Sequence, residues 1–343
     1  MSVSHSLSPV AVSPTGAIFR SCKPLLPVLI FCVVLIAIGG TLSPVFLSPF
    51  NLGNLAVQIM PLLLVAIGQS YAVGSGGLDL SVGSIVSVAA VVAALSFAPF
   101  GVAPALVLAM GVALAIGALN GLFVSRGIEP FLVTLGTLSL GQGIALFISP
   151  VPGGTVPPGF RQIAGYWGQV PTMLPMILAL AAIAIWSVRR TRTGANIVAV
   201  GGNREVAHLC GIPVRWTLIK AYLICAVFAA LAAFLLVART GTGDPTIGAR
   251  FTLDSLAAVV LGGTLLGGGR VVMAGTVLGA IALGLLSNIL NLLQVPAFYQ
   301  TPVKGLLVIG AVLVPSVFAR IVEHRKALRL AAAFRAQARG ISA

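Results

Sequence analysis

Charge is what this 343-residue chain has least of: 8% of its residues are charged, and only six are acidic. A soluble domain carries about a quarter, so there are too few charges here to coat a globule. Histidine is nearly absent, with His5, His208 and His324 scattered along the chain, so no metal site is expected. The four cysteines (Cys22, Cys32, Cys210, Cys225) lack paired spacing and read as free thiols that only pack. No lysine stands in a G-x-x-x-x-G-K-[ST] context, no G-x-G-x-x-G follows a strand, and no serine sits in a G-x-S-x-G elbow. The chain therefore offers no nucleotide site and no hydrolytic centre of its own, and any energy must come from another subunit.

What is abundant is apolar length. Hydrophobic residues make up 58% of the chain, in stretches near 25–42, 54–73, 83–98, 101–124, 131–149, 171–188, 217–238, 255–268, 271–293 and 304–319. Several are shorter than the roughly 20 residues a bilayer requires. The expected fold is an all-α polytopic membrane protein with about ten spans (eight to ten). The short stretches 83–98 and 255–268 read as re-entrant or broken helices. The Ser/Pro-rich segment before Lys23 has no small-residue cleavage site after its apolar run, so that run reads as a retained first span.

The net charge of +14 does not indicate nucleic acid, because the basic residues are not interleaved with aromatics. Six lie in the tail (Arg320, Arg325, Lys326, Arg329, Arg335, Arg339) and five in one loop (Arg189, Arg190, Arg192, Arg204, Arg215). With ten spans and the N-terminus inside, sixteen of the 20 Lys and Arg fall on the inner side. Only Arg161, Arg239, Arg250 and Lys304 fall outside. That bias places both termini in the cytoplasm. It divides the chain into an N-terminal tail (1–23), a membrane domain (24–319) with an inner loop at 189–216, and a basic C-terminal tail (320–343).

Polar groups within such a chain mark function by default. In "GGLDLSVGS" (76–84), Asp79 falls at the inner end of the second span among glycines that permit a sharp turn. Its carboxylate reads as a helix N-cap in a wet site, with Ser81 and Ser84 as further caps. A role at an inner gate and a proton relay are the other readings. Gly117/Gly121 and Gly275/Gly279 are G-x-x-x-G pairs that let helices approach closely. Thr134, Thr137 and Gln142 in one span, and Ser287, Asn288 and Asn291 in another with Gln294 beyond, either line a wet pathway or bond between helices. Asp254 in "LDSLAAVVLGG" echoes Asp79 in "LDLSVGS" with opposite placement, as an inverted internal repeat would give; it joins the pathway candidates. In the loop 189–216, Asn203 caps a short exposed helix, Glu205 complements its dipole and Gly211 ends it before Pro213.

"NREVAHLCGIPV" resembles the coupling motif E-x-A-x-x-x-G of ABC importer permeases, with Glu205, Ala207 and Gly211 in place. "GGLDLSVGS" is similar to the signature of the ribose-type permeases, here Gly77, Asp79, Ser81, Gly83 and Ser84. "FLVTLGTLSLGQG", "TRTGANIVAVGGN", "LDSLAAVVLGGTLLGGG" and "NILNLLQVPAFYQTPVKG" follow in that family's order and spacing. The resemblance covers roughly residues 30–315. It implies a permease subunit that binds no cofactor itself, with ATP and Mg on a cytoplasmic ABC ATPase docked at Asn203–Gly211. It also implies a periplasmic solute-binding protein, a second permease copy, surrounding lipid and the bacterial inner membrane. The implied cargo is a monosaccharide. The same architecture could carry a nucleoside, a furanosyl signal compound or a branched-chain amino acid, and a stand-alone secondary transporter is the competing class. Gln142, Leu265 and Val271 depart from the family pattern and remove polar groups near the implied pathway.

Overall fold

A computed structural model of the chain describes residues 25–296, 298–300, 302–306 and 309–310. Its helices track the apolar stretches, since a segment hydrophobic all round can satisfy its backbone only internally once it leaves water. In chain order they are α1 (Leu26–Leu42), α2 (Pro49–Gly74), α3 (Val82–Phe100), α4 (Val102–Ser125) and α5 (Pro130–Ile148). After a loop carrying a two-stranded hairpin, β1 (Tyr166–Trp167) and β2 (Val170–Pro171), come α6 (Leu174–Arg190) and α7 (Arg192–Gly202). The short α8 (Arg204–Leu209) precedes α9 (Val214–Thr240), α10 (Ala249–Leu261) and α11 (Met273–Leu292).

The centre of the bundle is α2, α3 and α9, each buried over most of its length. Helices α4 and α5 pack on one side of this core; α10, α11 and then α1 pack on the other. α4 and α5 bury only a minority of their residues, so their apolar outer faces meet whatever surrounds the protein. Gly101 alone joins α3 to α4, with φ 80°, a conformation glycine adopts without a Cβ penalty.

Several expectations need correction. Among the described residues, six helices are long and apolar enough to cross a membrane, or seven if α6 and α7 form one span bent by 64°. The expected count is eight to ten; α1, with 17 residues, and α10, with 13, fall below that length, and most of the expected span at 304–319 lies outside the described residues. The stretch 83–98 is neither broken nor re-entrant, because α3 runs unbroken for 19 residues. By contrast 255–268 does break, α10 ending at Leu261 ahead of a glycine-rich turn. The loop 189–216 is not one exposed helix. Thr191 Oγ1 accepts from Gly194 N at 3.2 Å and starts α7, whose Gly194, Ile197 and Val200 are buried. That apolar face was masked in the sequence by the flanking arginines. Residue 24 and the tails 1–23 and 320–343, with Cys22 and most of 304–319, lie outside the described residues, as do both chain ends. Cys32 and Cys225 are buried free thiols, but Cys210 is exposed and does not pack.

Both G-x-x-x-G pairs lie at helix crossings. A methyl group on Gly117 would come within 2.6 Å of Ala226 Cβ, and one on Gly121 within 2.7 Å of Ile219 Cα, where α4 meets α9. Gly279 presses on the Ala258 carbonyl of α10, and Gly275 on that of Gly262, the residue that follows that helix. Overpacking of this kind costs about 1–3 kcal/mol or more. Gly121→Leu is expected to abolish a monodisperse peak on size exclusion in detergent. Gly111→Leu, in the same helix with nothing within 4 Å of an added Cβ, is expected to keep it.

Candidate functional site

The turn between α2 and α3 places Asp79 at full burial, not in a wet site. Asp79 Oδ1 accepts from Ser81 N at 3.0 Å and from Ser81 Oγ at 2.6 Å. Its second oxygen, Oδ2, has no hydrogen-bond partner. Ser81 is the residue flanking α3, yet its hydroxyl is spent on Asp79 and caps nothing; Ser84 Oγ donates back to Ser81 O at 2.9 Å. The expected serine caps are therefore not formed.

Four other helices hold this turn. From α4, Asn120 Nδ2 donates to Ser81 Oγ at 2.8 Å, and from α5, Thr137 Oγ1 donates to Asn120 Oδ1 at 2.7 Å. The backbone carbonyls of the turn are used as well. Leu78 O accepts from Thr134 of α5 at 3.2 Å and from Tyr222 of α9 at 3.4 Å, and Leu80 O from Thr252 of α10 at 3.3 Å. Gly77 and Gly83 are glycines because a Cβ would overlap Tyr222 Oη and Thr252 Oγ1 respectively. Gln69 of α2 completes the cluster. It accepts from Cys225 Sγ at 3.7 Å, while its Nε2 is buried without a partner. Thus Gly77, Asp79, Ser81, Gly83 and Ser84 meet Thr134 and Thr137 in one buried polar junction. Asn120, Tyr222, Thr252 and Gln69 are further members that sequence reasoning missed. A polar side chain inside an apolar run was the available signal for Asn120 and Gln69.

The other pathway candidates are not brought together. Asn288 and Asn51 exchange amide hydrogen bonds, both 3.0 Å, in a buried pair between α11 and α2. Asn291 accepts from Gln300 at 2.8 Å, and Gln142 donates to Pro245 O at 2.9 Å. Asp254 pairs with Lys304 at 3.3 Å. It lies inside α10, whereas Asp79 precedes α3, so the two aspartates are not structural equivalents and the sequence echo does not align their roles. Leu265 is exposed, and Val271 packs on Gly74. If the asparagine pair only ties two helices, Asn288→Ala should lower thermal stability by about 1–3 kcal/mol by orphaning Asn51 Oδ1, while Asn51 Nδ2 keeps its bond to Phe46 O. Any solute uptake per assembled molecule should be unchanged; a selective loss of uptake would return Asn288 to the pathway.

A second feature faces outward. Asn203 Oδ1 accepts from Val206 N at 3.0 Å and opens α8. At its other end Gly211, with φ 79°, donates to His208 O at 2.9 Å, and Ile212 N donates to Ala207 O at 3.0 Å. That pair of bonds is a Schellman closure. Glu205 is in the first turn. Ala207 is buried and seats the helix on the bundle, so it does not face a partner. Val206 and Leu209 are 54% and 80% exposed, two apolar side chains that the sequence motif does not mark. The arrangement is a short helix, fixed at both ends, that presents an apolar surface with charged neighbours Arg204 and Glu205.

Residues 51–314 match the family model described as branched-chain amino acid transport system / permease component. The chain is 39% identical over 298 residues to the ribose import permease protein of Escherichia coli (strain K12), covering 83% of this chain and 92% of that one. It is 35% identical over 287 residues to the D-allose transport system permease protein of the same organism, covering 81% and 87%. With the fructose import permease protein of Bifidobacterium longum (strain NCC 2705) it shares 33% over 308 residues, covering 84% and 89%.

Proposed function

The chain belongs to the family of branched-chain amino acid transport system permease components, a multi-pass membrane protein of ribose-type permease sequence, and on that premise we propose that it is the membrane subunit of an ATP-driven importer for a monosaccharide. The observation that carries the reading is α8, which offers exposed Val206 and Leu209 between two formed caps. A rigid helix displaying apolar side chains beside the membrane suits docking into a partner's groove. The partner is a cytoplasmic ABC ATPase, which holds the ATP and Mg and engages Asn203–Gly211. A periplasmic binding protein delivers the solute, and two permease copies enclose the pathway in the bacterial inner membrane. Named sugar importers among the relatives support the solute class.

Within this account the residues of the chain bind and move; they do no bond chemistry. ATP binding draws the ATPase subunits together and displaces α8. The buried junction at Asp79 has two unpartnered atoms, Asp79 Oδ2 and Gln69 Nε2, and a rearrangement that satisfies them supplies a second state of comparable energy. The test is reconstitution in vesicles with the ATPase recovered from the host's membranes and its binding protein. ATP-dependent uptake of labelled ribose, allose or fructose is the expected result. Uptake that persists without ATP and without the ATPase would establish a secondary transporter instead.

A further inference from the structure

Helix α8 does not hang from a free loop. The residues just before its cap, Gly201 and Gly202, close α7 and lie against two other stretches of main chain. One is the end of α2 and its turn, Gly74 to Gly77. The other is Gly267 to Gly269, in the turn between α10 and α11. Gly269 N donates to Gly74 O at 3.3 Å. A Cβ on Gly201 would overlap the Gly74 carbonyl oxygen and come within 2.7 Å of Gly269 N. One on Gly268 would lie 2.6 Å from Gly76 Cα and 2.8 Å from Gly201 O. Gly76, Gly268 and Gly269 have φ between 77° and 80°, where other residues are strained. Three backbones thus touch directly, with no side chain between them.

Contacts of this kind differ physically from ordinary core packing. A side chain can change rotamer and absorb a small shift, while backbone pressed on backbone cannot, so displacement of one segment moves the next. The three segments lead to distinct places. Gly201–Gly202 runs into Asn203 and α8. Gly76–Gly77 is two residues from Asp79 and its junction. Gly268–Gly269 leads into α11, with Val271 packed on Gly74. On its open side the contact borders a cavity of about 300 Å³ lined by Gly76, Glu129, Gly201, Asn203, Arg204 and Gly267, which gives the joint room to shift.

We propose that this three-way glycine contact is the joint that carries displacement of α8 to the Asp79 turn and to the α10–α11 turn. Gly74, Gly201, Gly268 and Gly269 are then positioning residues for transport. The inference rests on reading α8 as the helix an ATPase engages.

The test wedges the joint after assembly, so that folding is not at issue. Gly202 is exposed and an added Cβ meets only Gly269 Cα, at 3.7 Å. A chain carrying Gly202→Cys, with Cys22→Ser and Cys210→Ser, is reconstituted with its ATPase and binding protein. It is then treated with a benzyl methanethiosulfonate, and complete modification is verified by intact mass; buried Cys32 and Cys225 are checked for protection in the same spectrum. Each preparation before treatment is its own reference. Modification is expected to cut solute moved per ATP hydrolysed at least tenfold while hydrolysis stays within about twofold, and reductant should restore coupling. Gly201→Ala, a permanent wedge, should show the same split. Complete modification with an unchanged transport-to-hydrolysis ratio overturns the joint, as does release of the ATPase, which would place the effect at the docking surface. If the untreated assembly shows no ATP-driven uptake, the importer reading itself falls and takes the joint with it.

Discussion

Asp79→Ala is expected to destabilise the purified chain, and Asp79→Asn to leave it as stable as the parent or more so. Asp79 is completely buried and forms no ion pair among the described residues, whose one salt bridge joins Lys304 to Asp254. An uncompensated buried charge costs several kcal/mol, so removing the charge alone relieves the fold. What the fold needs from this residue is an acceptor, because Ser81 N and Ser81 Oγ both donate to Oδ1. Asparagine keeps that oxygen and puts a donor where the unpartnered Oδ2 stands. Alanine orphans a buried N–H and a hydroxyl and opens a cavity, at about 1–3 kcal/mol for each unsatisfied group. Thermal denaturation in detergent should therefore rank Asn at or above aspartate, with Ala clearly below. If Asn fell as far as Ala, the charge itself would be what the junction holds. The same variants then separate stability from turnover, since a stable Asn variant that fails to transport would assign the carboxylate a moving part.

Leu209→Asp is expected to remove the ATPase from the assembly without harming the membrane body. Leu209 is 80% exposed on α8 and makes no core contact, so the substitution costs the fold little. In a complex that buries it, an aspartate would leave an unpaired charge in an apolar groove. Central apolar anchors are worth about 2–4 kcal/mol by truncation, or roughly 30- to 1000-fold in affinity at 1.4 kcal/mol per decade. ATPase recovery and uptake should fall together by at least that lower figure, with size exclusion unchanged. Ala207→Asp gives the contrast, because Ala207 is buried beneath the same helix and its replacement should unseat α8 and lower stability.

The parts of this picture legible from sequence are those fixed locally. Asn203 and Gly211 declared the ends of α8 because a cap and a left-handed glycine act within one turn of chain. The apolar runs marked the helices for a similar reason, being contiguous in the chain. The order of five motifs identified the family. The burial of Asp79 was not legible, because it depends on partners far away in the chain. Asn120 is 41 residues off, Tyr222 meets Leu78 across 144, and Thr252 meets Leu80 across 172. An aspartate beside glycines and serines has the local composition of a wet turn. Only the arrival of α4, α9 and α10 turns it into a dry junction. For Asn288 the sequence left two readings open for a related reason: spacing along one helix does not say whether its polar face meets water or Asn51. The arginines flanking α7 hid a buried stripe of Gly194, Ile197 and Val200, since basic residues at span ends dominate any reading of exposure. The glycine joint was out of reach, being a relation among three segments.

The most direct measurement of the central claim is site-specific photo-crosslinking from α8 in the host's own membranes. A photoreactive side chain is placed at Val206, at Leu209 and, as a buried reference, at Ala207, followed by gentle purification and mass spectrometry. Crosslinks from 206 and 209 to an ATP-binding cassette ATPase, with 207 returning only the chain itself, are the predicted result. A chain recovered alone from every position, intact and monodisperse, would contradict the importer account.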